Sequence, residues 1–332
     1  MVPTHGSTGP APAPAAGARV VADVGGTNAR FATVGASASI LERIEVVSCA
    51  DYPQIDDAIG AWFHRHGIEA VAGICIAVAG PVDGDVVDLP NSHWRFSRAA
   101  LETALGAPLI VLNDFTAQAL CVDLLQEHEL TWFGAPRPAN RGFRAVIGPG
   151  TGLGVAVQTP GGEIVPSEGG HVGFAPTSLH QTALLNELLA RYGRVSIERV
   201  LSGPGLENLY WANARLEKAG AAPAPRSAPE IARLAHAGDT LARQAVADFF
   251  DVLAAFAGDM ALMAWATAGV YLSGGVLAKL MPFFDAARFR DRFEDKGRFR
   301  AFCASVPIAR ITAEHPGLLG CSAALAAGYG SA

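Results

Sequence analysis

The sequence predicts a two-lobed α/β protein, and three observations point to this class. The chain of 332 residues exceeds the usual size of one compact domain. Short apolar runs typical of strands alternate with helical patterns, as expected where helices cover a mainly parallel sheet. A unit of strand, glycine turn and strand occurs twice, at residues 19–34 and 144–157, and this repetition indicates a duplicated architecture.

The composition indicates a globular protein and argues against several classes of function. Half of the residues are hydrophobic and 17% are charged, unlike a disordered or coiled-coil chain. The net charge of -6 comes without a run of Lys and Arg, so we expect binding to neither nucleic acid nor a membrane surface. The five cysteines form no C-x-x-C pair, which disfavours a disulfide framework or a structural zinc site and fits the cytoplasm.

Two segments stand out by composition. The Ala, Pro and Gly tract of residues 10–18 lacks the features of a secretory signal and predicts a disordered tail over residues 1–18. Residues 260–278 carry no charge and are long enough to be considered as a membrane span. Gly269 and the Ser-Gly-Gly of residues 273–275 interrupt that run, so we expect a short helix and a short strand there instead.

The first half of the chain is predicted to contain several strands and an amphipathic helix. Ile55, Ile59 and Trp62 fall on one face of a helix over residues 54–66. Residues 71–79 are nearly all apolar, which is typical of a strand covered on both faces. The other elements predicted here are strands at 19–24, 31–34 and 108–112 and a helix at 115–125.

The second half repeats the opening unit and then becomes mostly helical. An apolar strand begins at Arg144, turns over residues 148–154 and resumes at residues 155–157. The Ala/Pro stretch 219–229 is interpreted as an exposed connection. The remaining predicted elements are a strand at 270–272, a helix that begins near Val276 and a terminal helix at 318–327.

Three glycine turns are candidates for binding a polyphosphate, because backbone N–H groups approach phosphate oxygens closely only where side chains are absent. These turns are Gly25-Gly26-Thr27, Gly150-Thr151-Gly152 and Gly274-Gly275. Any one of them could be only a hairpin turn, but two near-copies and a third favour phosphate binding. The chain has no G-x-x-x-x-G-K-[ST] motif, and a strand follows residues 148–154 where a dinucleotide fingerprint requires a helix.

Two aspartates at strand ends are candidates for a role in phosphoryl transfer. Asp114 follows an apolar strand and precedes a helix, where it could simply cap that helix. The alternative is a general base that takes the proton of a sugar hydroxyl as the oxygen attacks the γ-phosphate, with Asn113 binding a neighbouring hydroxyl. Asp23 could be a turn residue or could hold water on Mg²⁺, and the adjacent glycine turn favours the second role.

Further polar candidates lie in the second half. Two glycines separate Glu168 from His171, so a loop is expected there in place of a helical metal pair. The carboxylate accepts hydrogen bonds, and the imidazole donates or accepts them, which suits the hydroxyl groups of a sugar. Glu198 by itself is indistinguishable from an ordinary surface residue of a helix.

Seven motifs in order resemble those of the bacterial glucokinase family. The resemblance extends from about Arg19 to about Gly330 and is far more specific than any one motif. The seven are Asp23-Val-Gly-Gly-Thr-Asn-Ala-Arg30, Asn91-Ser-His-Trp94, Leu112-Asn-Asp-Phe-Thr-Ala117, Gly150-Thr-Gly-Leu-Gly154, Glu168-Gly-Gly-His171, Glu198-Arg-Val-Leu-Ser-Gly-Pro-Gly205 and Ser273-Gly-Gly275.

The resemblance implies a fold, a reaction and roles for individual residues. The fold would be the two-lobed actin-like ATPase (ribonuclease H-like) fold with a central cleft, and the reaction would be ATP- and Mg²⁺-dependent phosphorylation of glucose at the 6-hydroxyl. Asp114 would be the catalytic base. Glucose would be bound by Asn113, Asp114, Glu168, His171 and Glu198. ATP would be bound by Ala22, Asp23, Val24, Gly25, Gly26, Thr27, Thr151, Gly152, Gly274 and Gly275, with Asp23 on Mg²⁺ through water.

Two departures accompany the resemblance. Gly173 stands where relatives often carry Asp, and the tail at the N-terminus is longer than usual. The cysteine-rich zinc motif of the repressor, open-reading-frame and kinase group is missing after His171, which places the chain with the metal-free glucokinases. A transcriptional repressor is also disfavoured, since no helix-turn-helix pattern or basic face precedes the kinase core.

The predicted organisation is a small lobe of residues 19–124, a large lobe of residues 125–311 and a C-terminal helix of residues 312–332 that returns to the small lobe. The lobes would close over glucose and exclude water, which competes for the γ-phosphate. A homodimer is expected from the resemblance alone. A kinase of fructose or mannose, or a sugar-sensing protein without catalysis, stays an alternative.

Overall fold

The computed structural model describes residues 17–89, 92–134, 141–165, 167–217 and 224–329. Of the predicted tail, residues 1–16 lie outside these ranges, as does part of the predicted connection 219–229. The chain divides into two compact units, which are Met1–Asp114 with Cys321–Ala332, and Phe115–Gly320. These bounds differ from the predicted ends of the lobes at residues 124 and 311. The chain passes from one unit to the other within two helices, after the first residue of Asp114–Leu120 and after Gly320 in Pro316–Ala327.

The first unit contains one main sheet, a short hairpin and helices. Its strands are β1 (Ala18–Val24), β2 (Asn28–Val34), β3 (Leu41–Ser48), β4 (Val71–Val78), β5 (Val86–Asp88), β6 (Arg95–Ser97) and β7 (Leu109–Asn113). Its helices are α1 (Ile55–His66) and α2 (Arg98–Leu105), and α3 (Asp114–Leu120) begins at its last residue before the second unit.

The main sheet of the first unit has the order β3-β2-β1-β4-β7. Strands β1 and β2 pair antiparallel across the first glycine turn, whereas β1, β4 and β7 run parallel. Strand β4 is buried along most of its length, as its apolar sequence predicts. The core beside the sheet includes the fully buried side chains of Phe31, Trp62 and Trp94.

Helix α1 confirms the amphipathic pattern and shows why it begins and ends where it does. Gln54 and Asp57 form a reciprocal capping box at its start, and Gly67 ends it with a left-handed φ of 61°. Ile55, Ile59 and Trp62 are buried on the predicted face. The apolar face therefore packs on the sheet that positions the first glycine turn.

The second unit contains a larger sheet and most of the helices. Its strands are β8 (Leu130–Trp132), β9 (Arg144–Pro149), β10 (Leu153–Gln158), β11 (Ile164–Val165), β12 (Val270–Leu272) and β13 (Ile308–Ile311). Its helices are the rest of α3, then α4 (Leu179–Tyr192), α5 (Gly203–Glu217), α6 (Ala228–His236), α7 (Thr240–Met263), α8 (Gly275–Leu280), α9 (Ala286–Glu294) and α10 (Arg300–Ser305), and α11 (Pro316–Ala327) begins here.

The sheet of the second unit has the order β11-β10-β9-β12-β13-β8. Strands β9 and β10 form the antiparallel hairpin, and β9, β12 and β13 are parallel. The strand order β11-β10-β9-β12-β13 in this sheet thus repeats the order β3-β2-β1-β4-β7 in the sheet of the first unit. The duplication predicted from two strand, glycine turn and strand units is visible in the pairing of the strands.

Two predicted elements differ in extent from the structure. Helix α3 ends at Leu120, five residues before the predicted end, and continues as a 3₁₀ turn over Cys121–Asp123. The charge-free stretch 260–278 holds the last turn of the long helix α7, strand β12 and the start of α8. No helix in the described ranges is both long and apolar enough to cross a membrane.

Candidate functional site

The first unit gathers several predicted site residues at one edge of its sheet. Because β1, β4 and β7 are parallel, their carboxyl ends meet at that edge. The register pairs Val24 with Val78 and Val78 with Asn113, so the three strand ends lie in one row. Neighbouring strands are about 4.8 Å apart. The glycine turn after β1 and the Asn-Asp pair at the end of β7 therefore lie about 10 Å apart along this edge.

The first glycine turn is a tight and well-defined hairpin. The amide of Gly25 donates to the carbonyl of Asn28 at 3.0 Å, and the amide of Cys49 donates to the carbonyl of Thr27 at 2.9 Å. Thr27 is exposed, while Gly25 and Gly26 are partly exposed. The hydroxyl of Thr27 and the backbone of the turn are thus accessible to an anion.

Asp23 is the last residue but one of β1, beside this turn, and has a basic neighbour. A guanidinium nitrogen of Arg30, on the paired strand, lies 3.4 Å from Asp23 Oδ2. Both side chains are partly exposed. The pair keeps a carboxylate next to the turn without burying it, as a water-mediated contact to a cation needs.

Asn113 and Asp114 mark the change from strand β7 to helix α3. The side-chain amide of Asn113 donates to the carbonyl of Gly80 at 3.2 Å, and Gly80 follows the neighbouring strand β4. Asp114 is the first residue of α3 and is partly exposed. The strand end thus holds the Asn113 side chain while the carboxyl group of Asp114 follows at the start of a helix.

Two cysteine thiols contact the backbone of β1 or of the turn after it. Burial raises the pKa of the Cys49 thiol, whose sulfur lies 3.7 Å from the carbonyl oxygen of Gly25. Burial, the neighbouring thiol of Cys75 and the charge of Asp23 raise the pKa of Cys321 well above its usual range. A raised pKa disfavours the nucleophilic thiolate at both positions.

The second unit holds the other two glycine turns together. In the hairpin of β9 and β10 the amide of Gly150 donates to the carbonyl of Gly152 at 2.8 Å. The first amide of α5, at Gly203, donates to the carbonyl of Gly150 at 2.9 Å. Gly274, with a left-handed φ of 101°, lies so near the end of β9 that a Cβ would come within 2.3 Å of the carbonyl oxygen of Pro149.

The loop of Glu168 and His171 is held against strand β10. The segment Gly169–His171 forms a 3₁₀ turn, where the two glycines had predicted a loop and no helical metal pair. A Cβ on Gly170 would lie 2.2 Å from the carbonyl oxygen of Leu153, so only glycine fits there. His171 Nε2 and Glu168 Oε2 are 3.8 Å apart, and both side chains are exposed. The buried glycines thus leave the two polar groups facing solvent.

Glu198 lies next to the second glycine turn. Its Oε2 accepts a hydrogen bond of 2.9 Å from the backbone amide of Leu153. A Cβ on Gly152 would lie 2.7 Å from the same oxygen. The segment of Glu198 is also attached to that of His171, since the amide of Ile197 donates to the carbonyl of Val172 at 2.8 Å. Three predicted glucose ligands and one predicted ATP turn therefore belong to a single cluster.

Sequence reasoning missed the packing that supports this cluster. Phe115 lies against the paired residues Gly148 and Gly154, where a Cβ would approach its ring to 2.6 Å and 1.9 Å. The signal was present, because glycine recurs at every second position from 148 to 154. In a hairpin, that spacing leaves one face free of side chains for a ring to cover.

A bound metal would have to rely on few protein groups. Among the described residues, no three His, Cys, Asp or Glu side chains converge as metal ligands would. Mg²⁺ usually keeps several waters and binds through one or two carboxylates and the phosphates of its substrate. The single carboxylate of Asp23 beside a phosphate-accessible turn fits that pattern.

Comparison with known proteins gives a consistent result. The sequence model of the family described as Glucokinase matches residues 20–328. A curated relative, the glucokinase of Chromohalobacter salexigens, is 44% identical over 310 residues, which are 92% of this chain and 97% of the relative. The crystal structure of a glucokinase from an Antarctic psychrotroph is 33% identical, has a TM-score of 0.85, and is matched over 93% of this chain and 99% of that one.

A more distant structure agrees on the fold. The ROK family glucokinase from Streptomyces griseus, crystallised with glucose and AMPPNP, has a TM-score of 0.60 at 21% identity and covers 92% of this chain and 98% of its own. These neighbours confirm the mixed α/β fold of the actin-like ATPase type that the sequence predicted.

Proposed function

The chain belongs to the glucokinase family, and from that premise we propose that the protein transfers the γ-phosphate of ATP to the 6-hydroxyl of glucose, giving glucose 6-phosphate and ADP. One observation carries the proposal beyond the family. The glycine turn after β1 and the Asn-Asp pair at the end of β7 share one edge of one sheet, in a row fixed by the register of three parallel strands. That edge offers both a place for phosphate and a carboxylate base.

The first unit supplies the base in this proposal. Asp114 takes the proton of the 6-hydroxyl as that oxygen attacks the γ-phosphorus, and Asn113 accepts or donates to a neighbouring hydroxyl. The hydrogen bond of Asn113 to the carbonyl of Gly80 limits its rotation. A side chain held in this way loses less entropy when a sugar binds.

The second unit supplies the other sugar ligands. Glu168 and His171 present exposed polar groups from a loop whose glycines are packed against β10. Glu198 completes the set beside Gly152, so the sugar ligands lie next to a turn that holds phosphate. Backbone amides of that turn and the hydroxyl of Thr151, which is exposed, donate to phosphate oxygens.

The same proposal includes Mg²⁺, which Asp23 would hold through water. When bound, the cation would neutralise charge that develops on the phosphates. Asp23 would orient a water ligand, and Arg30 would hold its carboxylate in place.

The test of the proposed base is Asp114→Asn. The amide keeps the size of the side chain and its ability to bind a hydroxyl but does not accept the proton, so kcat should fall at least ~100-fold. The dissociation constant for glucose, measured by calorimetry, should stay near that of the wild type. Asp56→Asn, at an exposed position in α1, serves as the matched control. A variant Asp114→Asn that retains wild-type kcat would remove the base from the mechanism.

Substrate choice and catalytic competence have their own assays. A coupled assay of ADP release with glucose, fructose and mannose tests glucose as the preferred acceptor. Release of ADP with none of the three would favour a sugar sensor without catalysis.

We further propose a cytoplasmic homodimer, for which light scattering gives the mass. The five buried cysteines, all free thiols, agree with a reducing compartment.

A further inference from the structure

The carboxylate of Glu198 is a predicted sugar ligand and lies beside the second glycine turn. Glucokinase resemblance assigns it to the sugar, yet its Oε2 accepts the amide of Leu153 at 2.9 Å. Leu153 directly follows the turn Gly150–Gly152 and is the first residue of β10. The residue that is expected to bind sugar therefore also holds one side of the turn that is expected to bind phosphate.

The contact is close enough to restrict the turn. The same Oε2 would be 2.7 Å from a Cβ on Gly152, a distance that ordinary Cβ atoms do not show. The other side of the turn is held by the amide of Gly203, which donates to the carbonyl of Gly150 at 2.9 Å. Two attachments, one to a side chain and one to a helix start, thus define the position of the turn.

The position of Glu198 is itself well supported. It lies in a 3₁₀ turn, Ile197–Arg199, whose first residue is buried. The Ser202 hydroxyl donates to its carbonyl at 2.8 Å, and the amide of Leu201 donates to the same oxygen at 3.3 Å. Movement of the carboxylate will therefore be transmitted to the Leu153 amide more readily than it is absorbed by the backbone of Glu198.

We propose that Glu198 is a positioning residue for the phosphate-binding turn, so that binding of sugar and the geometry of the ATP site are coupled through this one carboxylate. The proposal rests on the proposed function. A sugar hydroxyl donating to the free oxygen of Glu198 orients the carboxylate, and Oε2 then fixes the amide of Leu153. By linkage, the coupling acts in both directions.

The first experiment measures binding of the ATP analogue AMPPNP by calorimetry without any sugar. Glu198→Ala removes the acceptor of the Leu153 amide, and the dissociation constant of this variant for AMPPNP should rise about ten- to hundredfold, as expected for loss of a hydrogen bond to a charged group. Glu198→Gln keeps an oxygen acceptor and should lie close to the wild type. His171→Ala removes another predicted sugar ligand and should leave the dissociation constant for AMPPNP within about twofold of the wild type.

The reciprocal experiment measures binding of glucose without nucleotide. Gly152→Ala places a methyl group against Oε2 and should weaken glucose binding, although Gly152 is not a sugar ligand. Gly150→Ala is the matched control, since the nearest atom to its Cβ is 4.0 Å away. Its glucose affinity should equal that of the wild type.

The outcomes separate this inference from the function on which it rests. Wild-type protein that binds AMPPNP and glucose while Glu198→Ala binds AMPPNP unchanged would overturn the coupling alone. Equal effects of Gly152→Ala and Gly150→Ala on glucose binding would also overturn the coupling alone. Wild-type protein that binds no nucleotide would overturn both proposals. Thermal unfolding of each variant identifies any that fails to fold, and where Glu198→Ala does so, the comparison of Gly152→Ala with Gly150→Ala carries the test.

Discussion

Replacement of Gly170 by alanine tests the support of the sugar-binding loop. The added Cβ would lie 2.2 Å from the carbonyl oxygen of Leu153, which is a backbone atom and not the end of a flexible side chain. Ordinary contact begins near 3.4 Å. The loop or the strand must therefore move by about 1 Å. Such a displacement costs ~100-fold in rate where it misplaces groups that hold a substrate.

We expect Gly170→Ala to lower kcat/KM for glucose by about 100-fold, chiefly through KM, and to reduce the free energy of unfolding by roughly 1–3 kcal/mol. Gly173→Ala is the matched control, since a Cβ there meets no atom within 4 Å. A coupled assay over a range of glucose concentrations gives KM, and urea unfolding gives stability. Wild-type kcat/KM in Gly170→Ala would refute the assignment of this loop to glucose.

Two further predictions concern stability. Arg288 contacts both oxygens of the buried Asp251 at 2.7 Å, and Arg292 lies 3.5 Å from one of them. Because Arg292 remains, Arg288→Ala should lower the free energy of unfolding by about 2 kcal/mol in urea titrations, and Arg288→Ala with Asp251→Ala should recover part of that loss. Burial acts to raise the pKa of Glu45, but hydrogen bonds from Arg65 and His66 outweigh it and leave this pKa below its ordinary value of 4.5. The stabilisation that the ionised Glu45 gives the folded state is present above pH 4.5 and is lost as the pH falls through the lowered pKa. The free energy of unfolding of Glu45→Gln should therefore fall less than that of the wild type between pH 5 and pH 3. An equal fall in both proteins would contradict the assignment of this pH dependence to Glu45.

Much of the fold could be predicted from local sequence. The two hairpins, the buried strand β4 and the amphipathic helix α1 follow from hydrophobic pattern and glycine position. The end of α3 was predicted wrongly, at Leu125 instead of Leu120. The apolar pattern continues past Leu120, but the backbone tightens into a 3₁₀ turn there, and periodicity alone does not distinguish the two helices.

The candidate site was predictable as a set of residues but not as an arrangement. Family motifs named Glu198, whereas its own surroundings in the sequence suggested only a surface residue. The structure shows that it contacts the backbone of Leu153, 45 residues away in the chain. A contact of this kind depends on how the loop after β11 and the 3₁₀ turn before α5 pack on one hairpin.

The sequence by itself determined the strand and helix types, the three glycine turns and the family, because hydrophobic period, turn chemistry and ordered motifs are local properties of the chain. Only the tertiary structure decided at which glycine positions no larger residue fits. Gly170 is required by a carbonyl of β10 and Gly154 by the ring of Phe115, and both contacts exist only after distant segments have packed. Close packing leaves no room for even one added methyl group at these two positions. The residues adjacent in sequence do not reveal how near the distant segment comes.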